Sequence, residues 1–196
     1  MDLTLDPETI VDAQPVAAQP WDKAALVAYL QPRVSGVDAS LQLTKIEGGQ
    51  SNPSWILKCK NKSWVLRSKP APASQLMPSA HAIEREFRVM KALAASDVPV
   101  ARMHLLCEDE AVIGRAFYIM EFVQGRVFWE QSLPGMTPPQ RRELYTELNR
   151  VLACLHRAPY EHIGLAGYGR PGNYIERQIG RWSKQYQASV TQPIDA

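Results

Sequence analysis

Gly48-Gly49-Gln50-Ser51-Asn52 lies between two runs of strand character and is followed by Trp64-Val65-Leu66-Arg67, and this order narrows the folds open to the chain more than any other stretch. Adjacent glycines accept backbone conformations that other residues resist, so the pair marks a sharp turn. Their bare backbone also lets N–H groups come close to an anion, and Arg67 sets a permanent cation behind the turn. A Gly-Gly pair taken alone is an ordinary hairpin turn. Its meaning here depends on the parts that follow it.

Strand character occupies Leu41–Glu47, Trp55–Lys60 and Ser63–Lys69, with turns at Gly48-Gly49 and Asn61-Lys62, which predicts an antiparallel meander. After an irregular loop over Pro70–Pro78, a helix is predicted over 80–95. Its apolar positions 83, 87, 90 and 93 recur at helical spacing, Glu86 lies just off that stripe, and Asp97-Val98-Pro99 ends it. Met103–Glu108 and Arg115–Val123 read as two more strands. The predicted order is βββ-α-ββ, an α+β lobe of five antiparallel strands around one helix. An earlier helix starts at Trp21-Asp22, turns Leu26, Val27, Tyr29 and Leu30 towards the core before Pro32 and Gly36 stop it, and is expected to pack outside the sheet.

After Gly125 the pattern becomes helical. Pro138–Arg157 carries Leu144, Leu148, Leu152 and Leu155 on one face, Gly164–Gly172 is a glycine-rich connector, and Tyr174–Gln187 is a helix with a basic row at Arg177, Arg181 and Lys184. The predicted organisation is a mobile leader over 1–20, a first lobe and hinge over 21–125, and the first part of a helical second lobe over 126–196. The leader contains Pro7, Pro15 and Pro20 and too few large apolar groups to offset its ordering entropy.

A chain of 196 residues that is 45% hydrophobic can bury one substantial core. A net charge of +2 supplies no global field for nucleic acid or an anionic membrane, so any anion site is local. Cys59, Cys107 and Cys154 are odd in number, far apart and without C-x-x-C spacing, which excludes a disulfide framework or a zinc site of recognisable pattern. No apolar run is long enough to span a bilayer, and the acidic start lacks the features of a secretory signal. These features predict a soluble, cytoplasmic protein.

The motifs together resemble the aminoglycoside phosphotransferase/choline kinase superfamily, with its protein-kinase-like fold. The branch is that of the phosphotransferase domain found beside acyl-CoA dehydrogenase domains. The carriers are Gly48–Asn52, Trp64-Val65-Leu66-Arg67-Ser68-Lys69-Pro70, Pro78-Ser79-Ala80-His81, Phe117–Gly125 and Tyr168–Tyr174. The resemblance implies that ATP is bound with Gly48, Gly49, Gln50, Ser51 and Asn52 covering the phosphates. It further implies that Arg67 replaces the usual strand lysine, that Glu86 is its helix partner, and that the Glu121 carbonyl and Val123 N–H read adenine. Lys69, two positions on, faces the same side and is the alternative cation. Arg170, Asn173, Tyr174, Arg177 and Arg181 are the corresponding candidates for an anionic acceptor such as a hydroxy acid or hydroxyacyl-CoA; a solvated basic face is the alternative. A fused or associated acyl-CoA dehydrogenase domain is the implied partner.

The family's catalytic His-Gly-Asp with a following Asn, and its Asp-Trp-Glu-like motif, are not in the sequence. His81, His104, His156 and His162 are followed two places later by Ile83, Leu106, Ala158 and Gly164. His156 resembles the histidine that closes the helix before the catalytic loop, although a histidine is favoured at a helix C-terminus in any case. No catalytic residue and no metal ligand is therefore assigned, and ligands for Mg2+ are expected beyond Ala196. The expectation is the N-terminal portion of an ATP-dependent small-molecule phosphotransferase acting on a hydroxyl, inactive as this chain alone. The alternative is a non-catalytic nucleotide-binding or docking module.

Overall fold

A computed structural model of the chain describes residues 21–46, 52–70, 82–170 and 172–189. The expected leader, Gly48 to Ser51, most of the Pro70–Pro78 loop and the motif at 78–81 lie outside the described residues. Two compact units are present, one running to Ala158 and the other from Pro159.

The first unit opens with helix α1, Lys23–Leu30, whose N-terminus is capped by Asp22 accepting from the Ala24 N–H at 2.8 Å. Strands β1 (Gln42–Ile46), β2 (Ser54–Cys59) and β3 (Lys62–Ser68) follow, then helix α2 (Ile83–Leu93), and strands β4 (Met103–Cys107) and β5 (Phe117–Glu121). The strands form one antiparallel sheet in the order β1-β2-β3-β5-β4. The predicted βββ-α-ββ order is the observed one.

One boundary differs. The β2–β3 turn is Lys60-Asn61 rather than Asn61-Lys62, because Cys59 pairs with Lys62 across the ladder and Lys60 takes a φ of +53°. Tertiary contacts hold this register. The Cys59 thiol is buried and donates to Asp38 at 3.1 Å, and Lys60 pairs with the same carboxylate at 2.6 Å. The residues before β1 thus select which side chains occupy the turn, a choice that turn chemistry alone does not make.

Side chains alternate across a strand, so each strand feeds two layers. On one face Leu26 and Leu30 of α1 pack with Trp55, Leu57, Trp64, Leu66, Cys107, Phe117 and Ile119, the main core. Trp21 meets Trp55 edge-on at 4.2 Å, and Tyr29 meets Phe117 at 5.9 Å. On the other face α2 covers a smaller patch in which Ile83, Ala116 and Tyr118 are buried, flanked by Phe87, Met103, Leu106 and Met120. Arg67 shares that second face.

Helix α3, Pro138–Arg157, completes the first unit. Prolines in its first turn and a Gln140 side chain accepting from the Thr137 N–H at 2.9 Å start it. The Tyr145 hydroxyl donates to the Gln131 carbonyl at 2.6 Å and ties the helix to the preceding loop. Its leucines at 148, 152 and 155 are exposed. The second unit contains a short π-helical turn, Glu161–Leu165, and helix α4, Tyr174–Ser189.

Phe117, the first residue of β5, is completely buried in the main core. Phe117→Ala is expected to destabilise the chain by about 3–5 kcal/mol, seen as a lower urea midpoint with an unchanged slope. A loss under ~1 kcal/mol would mean that the core is not organised around this ring.

Candidate functional site

Antiparallel register sets three residues in a row across the sheet: Ser54 on β2 lies opposite Arg67 on β3, and Arg67 lies opposite Tyr118 on β5. Directly opposed residues project to the same face. Glu86, in the first turn of α2, meets this row. Arg67 Nε donates to Glu86 Oε2 at 2.9 Å, and the Tyr118 hydroxyl donates to the same oxygen at 3.1 Å. Asn52 Nδ2 donates to Glu86 Oε1 at 2.8 Å, and Arg67 Nη1 donates to Ser54 Oγ at 3.2 Å. Five side chains form one connected polar network.

Arg67 and Glu86 remain 30% and 37% exposed, so their attraction is screened and contributes only about 0–1 kcal/mol to stability. The pair is therefore better understood as a device for orienting a guanidinium. Using Nε for Glu86 and Nη1 for Ser54 leaves the Nη2 end of the fork for a ligand. Lys69 pairs with Glu84, two residues before Glu86 on α2. The two candidate cations thus have separate acidic partners, both in the helix's first turn, where the macrodipole favours negative charge.

Asn52, expected among the phosphate-covering residues, is buried and turns its amide to Glu86. The other members of that group, Gly48 to Ser51, lie outside the described residues. At the end of β5, the Glu121 N–H donates to the Arg102 carbonyl at 2.8 Å and the Glu121 carboxylate accepts from the Arg102 N–H at 3.2 Å. Val123 follows, exposed, and its N–H has no backbone partner among the described residues.

The family model described as the phosphotransferase enzyme family matches residues 42–196. The chain belongs to the phosphotransferase enzyme family. It is 52% identical to a protein of Ralstonia eutropha JMP134 assigned as an aminoglycoside phosphotransferase, whose crystal structure it matches with a TM-score of 0.74. That match covers 89% of this chain and 50% of the other. The fold is accordingly kinase-like, an α+β sheet with helices. Among curated proteins, it is 44% identical over 156 residues to mouse acyl-CoA dehydrogenase family member 10, covering 80% of this chain and 14% of that protein. It is 42% identical over 180 residues to human acyl-CoA dehydrogenase family member 11, covering 90% of this chain and 23% of that protein. The chain thus spans less than a quarter of either dehydrogenase relative.

In this phosphotransferase-family chain the acceptor-side candidates all belong to the second unit. Arg177 donates through Nη2 to the Arg170 carbonyl at 2.8 Å and through Nη1 to the Gly172 carbonyl, which braces the connector against α4. Asn173 takes a φ of +47° at the start of that helix. Tyr174, Arg170 and Arg181 are exposed. Among the described residues, no three His, Cys, Asp or Glu side chains converge in a way that could hold a metal ion.

Ser54 and Tyr118 were not among the residues singled out from sequence. The signal that identifies them is register: once β3 is flanked by β2 and β5, the residues opposite Arg67 follow. Burial, and then the Glu86 charge, push the Tyr118 phenol well above its ordinary value of 10.0. The raised folded-state value favours the neutral phenol only in the folded chain. Its contribution to stability is complete below about pH 10 and is lost as pH rises further. Urea denaturation is expected to show stability falling above pH 10, with the fall reduced in Tyr118→Phe; equal slopes in both proteins would contradict this assignment.

Proposed function

We propose that this chain is the N-terminal portion of an ATP-dependent small-molecule phosphotransferase acting on a hydroxyl acceptor. The observation that carries the reading is the Arg67–Glu86 contact, a strand cation held by a helix carboxylate beside the residue that ends the glycine turn. That is the arrangement a kinase-type lobe uses to align α- and β-phosphates. In this reading the backbone N–H groups of Gly49 to Asn52 cover the phosphates and Arg67 meets their oxygens through the free end of its guanidinium. The Glu121 carbonyl and Val123 N–H hold adenine. Lys69, already engaged with Glu84, takes the supporting position.

No three His, Cys, Asp or Glu side chains converge among the described residues, and no step is assigned to Mg2+ here. In this proposal its ligands and the catalytic aspartate lie beyond Ala196. Two observations support a larger parent. The structural relative is about twice as long as the matched region, since the match covers 50% of it. Apolar side chains on α3 (Leu148, Leu152, Leu155) and on α4 (Ile175, Ile179, Trp182) are exposed, as expected of helices that complete a core with further chain. Continuation of the reading frame into His-Gly-Asp and Asp-Trp-Glu-like motifs would establish this part; a stop codon after Ala196 would refute it.

On the acceptor side we infer a hydroxy acid or hydroxyacyl-CoA. Arg170 and Arg181 are the exposed cations suited to its anionic group, with Asn173 and Tyr174 beside them in sequence. Arg177 serves the site through its brace on the connector. The dehydrogenase relatives support a fused or associated acyl-CoA dehydrogenase domain as partner.

Arg67→Ala is expected to weaken nucleotide binding about tenfold or more, measured by titrating the purified chain with ADP in the presence of Mg2+. Arg67→Lys should recover part of the loss, because charge is kept and the planar fork is not. Unchanged affinity in Arg67→Ala would remove Arg67 from the site.

A further inference from the structure

Glu86 accepts from three side chains of unlike character. One is the charged, partly exposed Arg67; the other two, Asn52 and Tyr118, are neutral and only 3% and 2% exposed. A flexible carboxylate facing an exposed cation gains too little from that cation alone to stay in one rotamer. Neutral donors inside the fold do not share this weakness, since water does not compete for them.

Tyr118 is the more informative of the two. Its ring sits in an apolar patch made by Ile83, Phe87, Met103, Leu106 and Met120, where a phenylalanine would pack equally well. A buried hydroxyl without a partner is costly, and at this position the partner is Glu86 Oε2, the oxygen that Arg67 also uses. Because the neutral phenol donates and the ionised carboxylate accepts, the hydroxyl adds to the hold on Oε2 without competing for the charge on Arg67.

We propose that Tyr118 is a positioning residue of the phosphate-aligning pair: its hydroxyl holds the Glu86 carboxylate in the orientation that receives Arg67 Nε, before any nucleotide arrives. This rests on the reading of Arg67 as the cation that aligns phosphates. Tyr118 stands on β5, the strand that ends at Glu121. The strand leading to the proposed adenine contacts therefore also fixes the carboxylate behind the phosphates, and the two halves of the nucleotide site share one rigid support.

The test is the exchange rate of the Arg67 Nε proton with water, followed by 15N-resolved NMR on the unliganded chain, with the resonance assigned by its loss in Arg67→Lys. Tyr118→Phe keeps the ring and is expected to speed this exchange about three- to tenfold. A rate within twofold of the parent would overturn the proposal. Tyr118→Met, which also lacks the hydroxyl, is the second variant should Tyr118→Phe not fold. Glu86→Gln should speed exchange on its own, and adding Tyr118→Phe to it should change little more. A further rise of the full single-variant size would show that Tyr118 acts independently of Glu86, which also overturns the proposal. ADP titrations on the same proteins separate the underlying reading. If Tyr118→Phe loosens the Arg67 proton while Arg67→Ala leaves ADP affinity unchanged, Tyr118 still positions the pair and the phosphate role of Arg67 fails.

Discussion

The carboxylate of Glu86 is the interaction on which the arrangement of this site depends. It joins helix α2 to Asn52, two residues ahead of β2, to β3 and to β5, using both of its oxygens. The apolar contact beneath α2 is modest, with Ile83 and Leu93 as its only buried side chains among the described residues. Hydrophobic burial sets the helix against the sheet but leaves its rotation and position along the strands loosely specified. Directional bonds to one carboxylate supply that missing specification, and the Lys69–Glu84 pair adds a second point of attachment in the same turn.

The two faces of the sheet differ in character through its alternation. The α1 face holds Trp21, Trp55, Trp64, Phe117 and Ile119, and resembles the core of any small domain. The α2 face carries the odd member of each pair: Arg67 between Leu66 and Ser68, and Tyr118 between Phe117 and Ile119. A charged residue in a central strand is tolerated because the helix above it brings a carboxylate and the neighbouring strands bring a hydroxyl each. Far from this row, Asp38 binds Cys59 and Lys60 and pins the β2–β3 turn, so the register that aligns Ser54, Arg67 and Tyr118 is held at its other end as well.

Helices α3 and α4 have a different basis. Capping and proline placement define where α3 begins, and its capping box is complete without any tertiary partner. Its apolar side chains, and those of α4, are nonetheless exposed. Local signals suffice to start and stop a helix, whereas the burial that stabilises it comes from packing.

Periodicity was enough to read the order of strands and helices, because alternation at two residues and recurrence at 3.6 are properties of local backbone geometry. The partnership of Arg67 with Glu86 was legible through family resemblance, and the contact between them is present. What could not be read was everything that depends on register. The Lys60-Asn61 turn follows from contacts made by Asp38. Ser54 becomes a neighbour of Arg67 through the β2–β3 register, and Tyr118 only because β5 inserts beside β3 rather than beside β4 alone. The burial of Asn52, and the turning of its amide to Glu86, likewise depend on where α2 lands. The sequence by itself determined the elements and their order, since those rest on residue type and short-range spacing, while the charged pair was named through the resemblance. Only the tertiary structure decided which hydroxyls and amides orient that pair, because distant segments become neighbours through strand pairing and helix docking, and neither leaves a trace in local pattern.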